Sequence, residues 1–177
     1  ERIHDASLEI LEDVGLRVRY EPARELFKKH GCPVDGERVE FPRAVVEKYR
    51  NMVPNTFTFH GRDPKFDKTI PRDSPVIVTA SSAPDIIDPV TGEERRAESK
   101  DIARIAHLIN ELPGYDIFSI STLADDAPAD QFTISRLYPS IKYCLKPIRV
   151  TTTDHKDTLS IMEMAYMVAG GEQAYKE

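Results

Sequence analysis

Ile117-Phe118-Ser119-Ile120-Ser121-Thr122 begins apolar and ends in hydroxyls, and two runs of similar texture flank it: Pro75-Val76-Ile77-Val78-Thr79 upstream and Ile148-Arg149-Val150-Thr151-Thr152 downstream. Short apolar runs bounded by turn residues read as strands, and Pro75–Thr79 in particular reads as one buried on both faces of a parallel sheet. A helix separates the first pair of runs: Ile102, Ile105, Ala106, Ile109 and Leu112 share one face, Ser99 stands at its cap position, and Pro113-Gly114 breaks it. A second helix, about Asp130–Cys144, separates the next pair, with a bend or break expected at Pro139. A third spans Lys156–Ala169 and stops at Gly170-Gly171. A hairpin, Asp85–Asp88 turning through Pro89–Gly92 into Glu93–Arg96, interrupts the alternation after the first strand. Strand–helix alternation is the pattern of right-handed parallel βαβ units. The expected fold class is therefore α/β, with about three βα units of a (β/α)8 TIM-type barrel. A closed barrel needs eight such units and roughly 250 residues, so the pattern reads as the interrupted front portion of a longer enzyme. A Rossmann reading is weaker, because no GxGxxG follows any of the three strands.

Upstream of these units the elements are shorter. Ile3, Ala6, Ile10, Leu11 and Val14 fall on one helical face, and Gly15 supplies the stop. Leu16–Tyr20 alternates as a short strand, and Pro22 opens a helix that runs to Gly31. Asp35-Gly36 marks a tight hairpin, Pro42 opens a helix through Val45, Val46 and Tyr49, and Thr56–Phe59 alternates as a strand. Residues 1–70 are expected to form a small α+β extension, and residues 71–177 the barrel units.

Composition narrows the class. Of 177 residues, 24 are basic and 30 acidic, a net charge of −6. That balance argues against nucleic acid or an anionic membrane as partner, since both require clustered Lys and Arg. Lys28-Lys29 and Arg95-Arg96 read as solvated faces. No stretch approaches the roughly 20 apolar residues of a membrane span, and the first residues lack a signal-peptide pattern. A cytoplasmic setting is expected, with Cys32 and Cys144 as free thiols.

Five segments, in order, carry a resemblance. They are Ile3–Val18 (IHDASLEILEDVGLRV); Gly31-Cys-Pro-Val-Asp-Gly36; Phe57-Thr-Phe-His-Gly-Arg-Asp-Pro64; Ile87-Asp-Pro-Val-Thr-Gly92 with Arg95-Arg96; and Glu163-Met-Ala-Tyr-Met-Val-Ala-Gly-Gly171. Together they resemble the N-terminal portion of the trimethylamine methyltransferase family, which includes glycine-betaine and other quaternary-amine:corrinoid methyltransferases. The resemblance implies a (β/α)8 barrel with an N-terminal extension. It implies transfer of a methyl group from a small tertiary or quaternary amine to a corrinoid (cobalamin) carried by a partner protein, with no cofactor bound directly. The family's pyrrolysine position, and its replacements in relatives, lie beyond the matched segments. No residue in 1–177 is assigned as a catalytic acid or base, and none as a metal ligand; one His30-x-Cys32 pair is too few for zinc.

Barrel enzymes hold their chemistry at the C-terminal ends of the strands. Those ends supply the candidate substrate-binding residues Ser81, Ser82, Ser121, Thr122, Thr152 and His155. The same hydroxyls also suit backbone capping, the reading preferred for Thr153 and Asp154. The loop Ala80–Pro84 lacks the aromatic often found there in the family, although a quaternary ammonium is bound by aromatic faces and carboxylates. Asp125 and Asp126 read either as a lure for a cation or as a solvated loop. Met162, Met164 and Met167 read as core. Two alternatives to an enzyme fragment stay open: a non-catalytic partial barrel that forms homo-oligomers or hetero-complexes through exposed strand edges, and a small-molecule binding domain.

Overall fold

The computed structural model describes residues 2–80, 82–152 and 154–176. The chain divides into two compact units, Glu1–Asn55 and Thr56–Glu177. In the first, α1 (Arg2–Glu9) continues into a wider π-helical turn, Ile10–Val14, and β1 (Leu16–Arg17) follows. Next come α2 (Glu21–Lys29), the hairpin β2 (Val34–Asp35) and β3 (Arg38–Val39), and α3 (Arg43–Arg50). The three strands form an antiparallel sheet with β3 central. Gly36 opens the hairpin turn at φ 58°, as the Asp-Gly pair predicts. Gly15 is required for a harder reason. Its φ is 71°, and a Cβ there would lie 2.3 Å from the Val39 carbonyl oxygen.

Of the expected apolar face of the first helix, Leu11 turns inward but Ile3, Ala6, Ile10 and Val14 do not. Leu8 is 2% exposed, whereas Ile3, Ile10 and Val14 are 85%, 58% and 62% exposed. Leu8 and the half-buried His4 and Leu11 face the unit instead, where His4 Nε2 meets Glu47 Oε1 at 2.8 Å. The Ile3 series is a second stripe, turned to solvent.

The second unit opens with the antiparallel pair β4 (Phe57–Phe59) and β5 (Lys68–Ile70). The sequence reading grouped these strands with the extension; their connections run into the second unit. The Gly61–Asp63 loop lies on the chain at Leu145, where Arg62 N–H donates to the Leu145 carbonyl at 2.7 Å, and a Cβ on Gly61 would come within 2.9 Å of that oxygen. Arg62 also donates to the Ile141 carbonyl, and Lys68 pairs with Asp116 at 3.1 Å.

Next come the hairpin β6 (Asp85–Ile87) and β7 (Glu94–Arg96), then α4 (Ser99–Glu111), β8 (Phe118–Ser119), α5 (Phe132–Tyr143), β9 (Ile148–Arg149), α6 (His155–Ala169) and α7 (Glu172–Lys176). β8 and β9 are parallel, Phe118 opposite Ile148. On the other side, Val78 bridges Ile117 and Ala83 bridges Thr122, both parallel. Three parallel segments thus lie side by side in chain order, with α4 and α5 as crossovers. Thr79 strengthens the first pairing: its hydroxyl donates to Ser119 O at 2.7 Å and accepts from Ser119 N at 3.0 Å.

The core gathers where α4 and α5 cover this sheet: Ile102, Ala106, Ile109, Phe118, Ile120, Ala124, Leu137 and Cys144, with Ile105, Ile148, Val150 and Met164 at its margin. The predicted face of α4 is therefore its packed face, except that Leu112 is 37% exposed. The run Pro75–Thr79, expected to be buried on both faces, is not. Ile77 and Val78 are about two-fifths exposed because pairing covers the run from one side only. Met162 and Met167 also face solvent rather than core. α5 runs through Pro139 without breaking; Ser140 Oγ donates to the Arg136 carbonyl at 2.7 Å just beyond it. Gly170 ends α6 in the left-handed region, as expected.

Lys146 closes the C-terminal end of α4. It is 5% exposed, and its ammonium donates to the Ile109, Leu112 and Tyr115 carbonyls at 2.7, 2.8 and 2.8 Å. The first two are carbonyls that the end of α4 otherwise leaves unmet, and the third belongs to the loop that follows it. Burial pulls the Lys146 pKa below its ordinary value. Lys146→Met, which keeps the stem and removes all three donors, is expected to destabilise the chain by about 3 kcal/mol. Urea unfolding measures this, and a loss under about 1 kcal/mol would show that water replaces the ammonium.

Candidate functional site

The three parallel segments end together. Ala83 N–H donates to Ser121 O at 2.9 Å and Leu123 N–H to Ala83 O at 3.0 Å, which joins the first two ends. Ser82 and Thr122 therefore stand at one edge of the sheet, beside Ser121. Ser82 is exposed with φ 67°, a left-handed conformation uncommon for a residue with a side chain. Ser121 is half-buried and its hydroxyl donates to Ser119 O at 3.2 Å. Thr122 is 3% exposed, and its Oγ1 is buried without a hydrogen-bond partner among the described residues. Thr152 and His155 are both exposed, one at the end of the third segment and the other at the start of α6. No hydrogen bond among the described residues ties either to Ser121 or Thr122. Ser81 and Thr153 lie outside the described residues.

Asp154 acts as the N-cap of α6, accepting from Asp157 N at 2.9 Å, as its position after the strand predicts. Asp157 in turn accepts from Thr133 Oγ1 at 2.7 Å, linking the first turns of α5 and α6. Arg136, one turn further along α5, reaches the central strand end. Its Nε donates to Thr122 O at 3.2 Å and its Nη2 to Ile120 O at 3.4 Å. The residue is 4% exposed, and desolvation pushes its pKa below the ordinary guanidinium value. The sequence reading missed Arg136. The available signal was the polar content of a buried stripe, Thr133, Arg136, Leu137 and Ser140 at helical spacing.

A charge network ties the β6–β7 hairpin to the same end of the sheet. Arg95 donates to both oxygens of Asp101, at 2.7 and 2.9 Å, and to Asp88 at 3.1 Å. Asp101 is buried, and the Arg95 guanidinium, first among its neighbours, holds its carboxyl below the usual range. The Val90 and Thr91 N–H groups, then Arg95, do the same for Asp88. Arg96 meets Asp85 and Asp125, each at 3.2 Å. Ser99 donates from N and Oγ to Asp126 at 2.8 and 2.9 Å.

Two corrections and two further placements follow. Arg95 is a half-buried clamp and not a solvated charge. Asp125 and Asp126 are exposed, as the solvated-loop reading expects, and they are engaged by Arg96 and Ser99. Ser99 is the first helical residue, and the cap position belongs to Glu98, whose N–H donates to Asp101 at 2.9 Å. His30 meets Tyr49 Oη at 2.6 Å; the described residues include no group of three or more His, Cys, Asp or Glu suited to a metal ion.

The fold is that of an α/β protein whose parallel segments terminate in a polar end that carries Ser82, Ser121 and Thr122. Residues 1–177 match the family described as Trimethylamine methyltransferase (MTTB), and the chain belongs to that family. It is 30% identical over its whole length to the glycine betaine methyltransferase of Desulfitobacterium hafniense (strain Y51), covering 37% of that protein. It is 26% identical to a trimethylamine methyltransferase of another strain of that species, covering 99% of this chain and 36% of the relative. A trimethylamine methyltransferase of Methanosarcina barkeri (strain Fusaro) is 33% identical over 70% of the chain, 26% of the relative. The chain thus spans little more than a third of the length of its fuller matches, and it corresponds to their N-terminal part. No helix among the described residues is long and apolar enough to cross a membrane.

Two substitutions test this geometry. Thr122→Val replaces an unpartnered buried hydroxyl by an isosteric methyl, so stability should stay level or rise by about 1 kcal/mol; a loss above about 1 kcal/mol would reveal a partner for Oγ1. Asp101→Asn breaks the buried pair and is expected to cost about 3 kcal/mol at neutral pH. The depressed carboxyl of Asp101 stabilises the fold above the unfolded value of about 3.9, and that contribution fades as pH falls through the lower folded value. Wild type should therefore lose stability more steeply than Asp101→Asn below about pH 4, read as urea midpoints against pH.

Proposed function

We propose that this chain forms the N-terminal part of a (β/α)8-barrel methyltransferase that moves a methyl group from a tertiary or quaternary amine, of the trimethylamine or glycine betaine type, to a corrinoid carried by a separate protein. The sheet order carries the reading. Three parallel segments adjacent in chain order, with helical crossovers, suit a barrel, in which each new strand adds beside the last. The exposed Ile77 and Val78 suit an edge that further strands would cover. Family membership and the names of the relatives support the choice of reaction.

In this reading the corrinoid enters as a co-substrate and supplies the nucleophile for the methyl carbon. The C–N bond breaks as a bond from the methyl carbon to the corrinoid forms, and its electron pair remains on nitrogen: a quaternary ammonium leaves as the neutral tertiary amine, and a tertiary amine reacts as its protonated ammonium and leaves as the neutral secondary amine. The residues of this chain bind and orient. Ser121 and Ser82 form the wall of the substrate end, with the buried Thr122 behind them, while Arg136 and Thr133 fix the strand and helix termini around it. Holding the methyl in line and excluding water are the protein's principal contributions to such a transfer. The acid–base and specificity groups belong to the remaining barrel strands.

A chimera tests this. This chain replaces the matched N-terminal part of the D. hafniense glycine betaine methyltransferase, and methylation of reduced free corrinoid is followed by absorbance with glycine betaine or trimethylamine. The expected outcome is transfer with at least one donor well above the enzyme-free rate, lowered roughly five- to tenfold in kcat/KM by Ser121→Ala. A folded chimera that transfers no methyl from either donor would sink the reading.

A further inference from the structure

The β6–β7 hairpin takes no part in the proposed chemistry, yet it is firmly tied at the end of the sheet where the substrate is proposed to lie. Its strands pair from Asp85–Arg96 to Ile87–Glu94. Asp88 sets the tip, accepting from Val90 N at 2.9 Å and Thr91 N at 3.3 Å, while Gly92 N donates back to Asp88 O at 2.8 Å. Arg95 anchors Asp88 to the buried Asp101 at the start of α4. Arg96 meets Asp125, and Asp125 N–H donates to Ala97 O at 2.9 Å, so the base lies against the loop that follows the central strand. The hairpin starts two residues after Ala83, which pairs with Thr122.

On this rigid mount the outward residues are apolar. Val90 is 89% exposed and Ile87 69%, with the exposed Glu93 and Glu94 beside them. Among the described residues neither side chain is covered by packing, and a loop that only had to turn would carry polar residues there. A pre-ordered apolar tip with an acidic flank also loses little entropy on binding.

We propose that this tip is a docking surface for the protein that carries the methyl acceptor. Its complement is an apolar concavity rimmed by Lys or Arg, which would receive Val90 and Ile87 and face Glu93 and Glu94. The assignment rests on the proposed function in one respect: transfer to a carried corrinoid requires a second protein to meet the end of the sheet where the methyl lies, and the hairpin stands at that end.

The test compares two acceptors in the chimera described above: free reduced corrinoid, which needs no docking, and a corrinoid-loaded acceptor protein from the source organism. Val90→Asp should raise KM for the protein-bound acceptor about tenfold or more, while kcat/KM with free corrinoid stays within about twofold. Glu93→Lys with Glu94→Lys should weaken the same step, most at low salt. Equal rates for Val90→Asp and parent on both acceptors would overturn the surface. An equal loss on both would overturn it too, since it would assign the tip to intramolecular packing. Fluorescence anisotropy of the labelled chain titrated with the acceptor protein reads docking without turnover. Weaker binding by Val90→Asp supports the surface and unchanged binding refutes it, even if the parent chimera transfers no methyl and the proposed reaction itself fails.

Discussion

Burial of the central segment Ile117–Thr122 is the constraint on which the second unit depends. Ile117, Phe118, Ser119, Ile120 and Thr122 are each at most 4% exposed. A strand so enclosed must satisfy every N–H and C=O by pairing, because water cannot reach them. It does so with Ile77–Thr79 and Ala83 on one side and with Pro147–Arg149 on the other. Parallel neighbours in turn require crossovers, and α4 and α5 supply them while covering Phe118 and Ile120 with Ile102, Ala106, Ile109 and Leu137. Arg136 then completes the account at the strand end by donating to the carbonyls of Ile120 and Thr122.

The same logic shows why parts of the fold were legible in the sequence and parts were not. Local patterns translated well: the α4 stripe, the Asp35-Gly36 turn, the Asp85–Arg96 hairpin and the glycine stop after α6 each depend on residues close in the chain. Burial that depends on a distant neighbour did not. Pro75–Thr79 has the composition of a central strand, but its exposure follows from pairing on one side. α1 carries two apolar stripes, and hydrophobicity alone could not choose Leu8 over Ile3, Ile10 and Val14. The choice came from the neighbours His4 and Leu11 meet in the folded unit, with Glu47 on α3 and the Phe41 N–H bonded to Leu11 O at 2.9 Å.

Buried charge was the least legible feature. Arg95, Asp101, Arg136 and Lys146 look like surface residues in composition, yet Asp101, Arg136 and Lys146 are buried and Arg95 half-buried, among partners that sequence spacing does not advertise. Lys146 reaches back more than 30 residues to the end of α4. Of the candidate site, Ser82, Ser121 and Thr122 were legible because strand polarity alone puts their hydroxyls at one end. Thr152 and His155 lie at the end of the third segment without being drawn into a common network with them.

The division of labour between apolar and polar contacts bears on what this unit can do. Core packing among α4, α5 and the sheet sets which strands are neighbours, but it is non-directional and leaves the loops beyond the strand ends free to choose an orientation. The hydrogen-bonded pairs are directional. Arg95 with Asp88 and Asp101, Ser99 with Asp126, and Thr133 with Asp157 all lie at or beyond the C-terminal strand ends. Replacing such pairs with apolar residues need not cost stability, since a buried ion pair often does little better than a well-packed hydrophobic one. A packed apolar contact would not, however, hold the hairpin at a defined angle to the loop after the central strand. That requirement is one of geometry, and the function proposed above would impose it, since a reacting methyl must then be held in line and a second protein admitted. The polar latches are therefore best understood as fixing direction at the C-terminal end of a sheet whose stability is supplied from beneath.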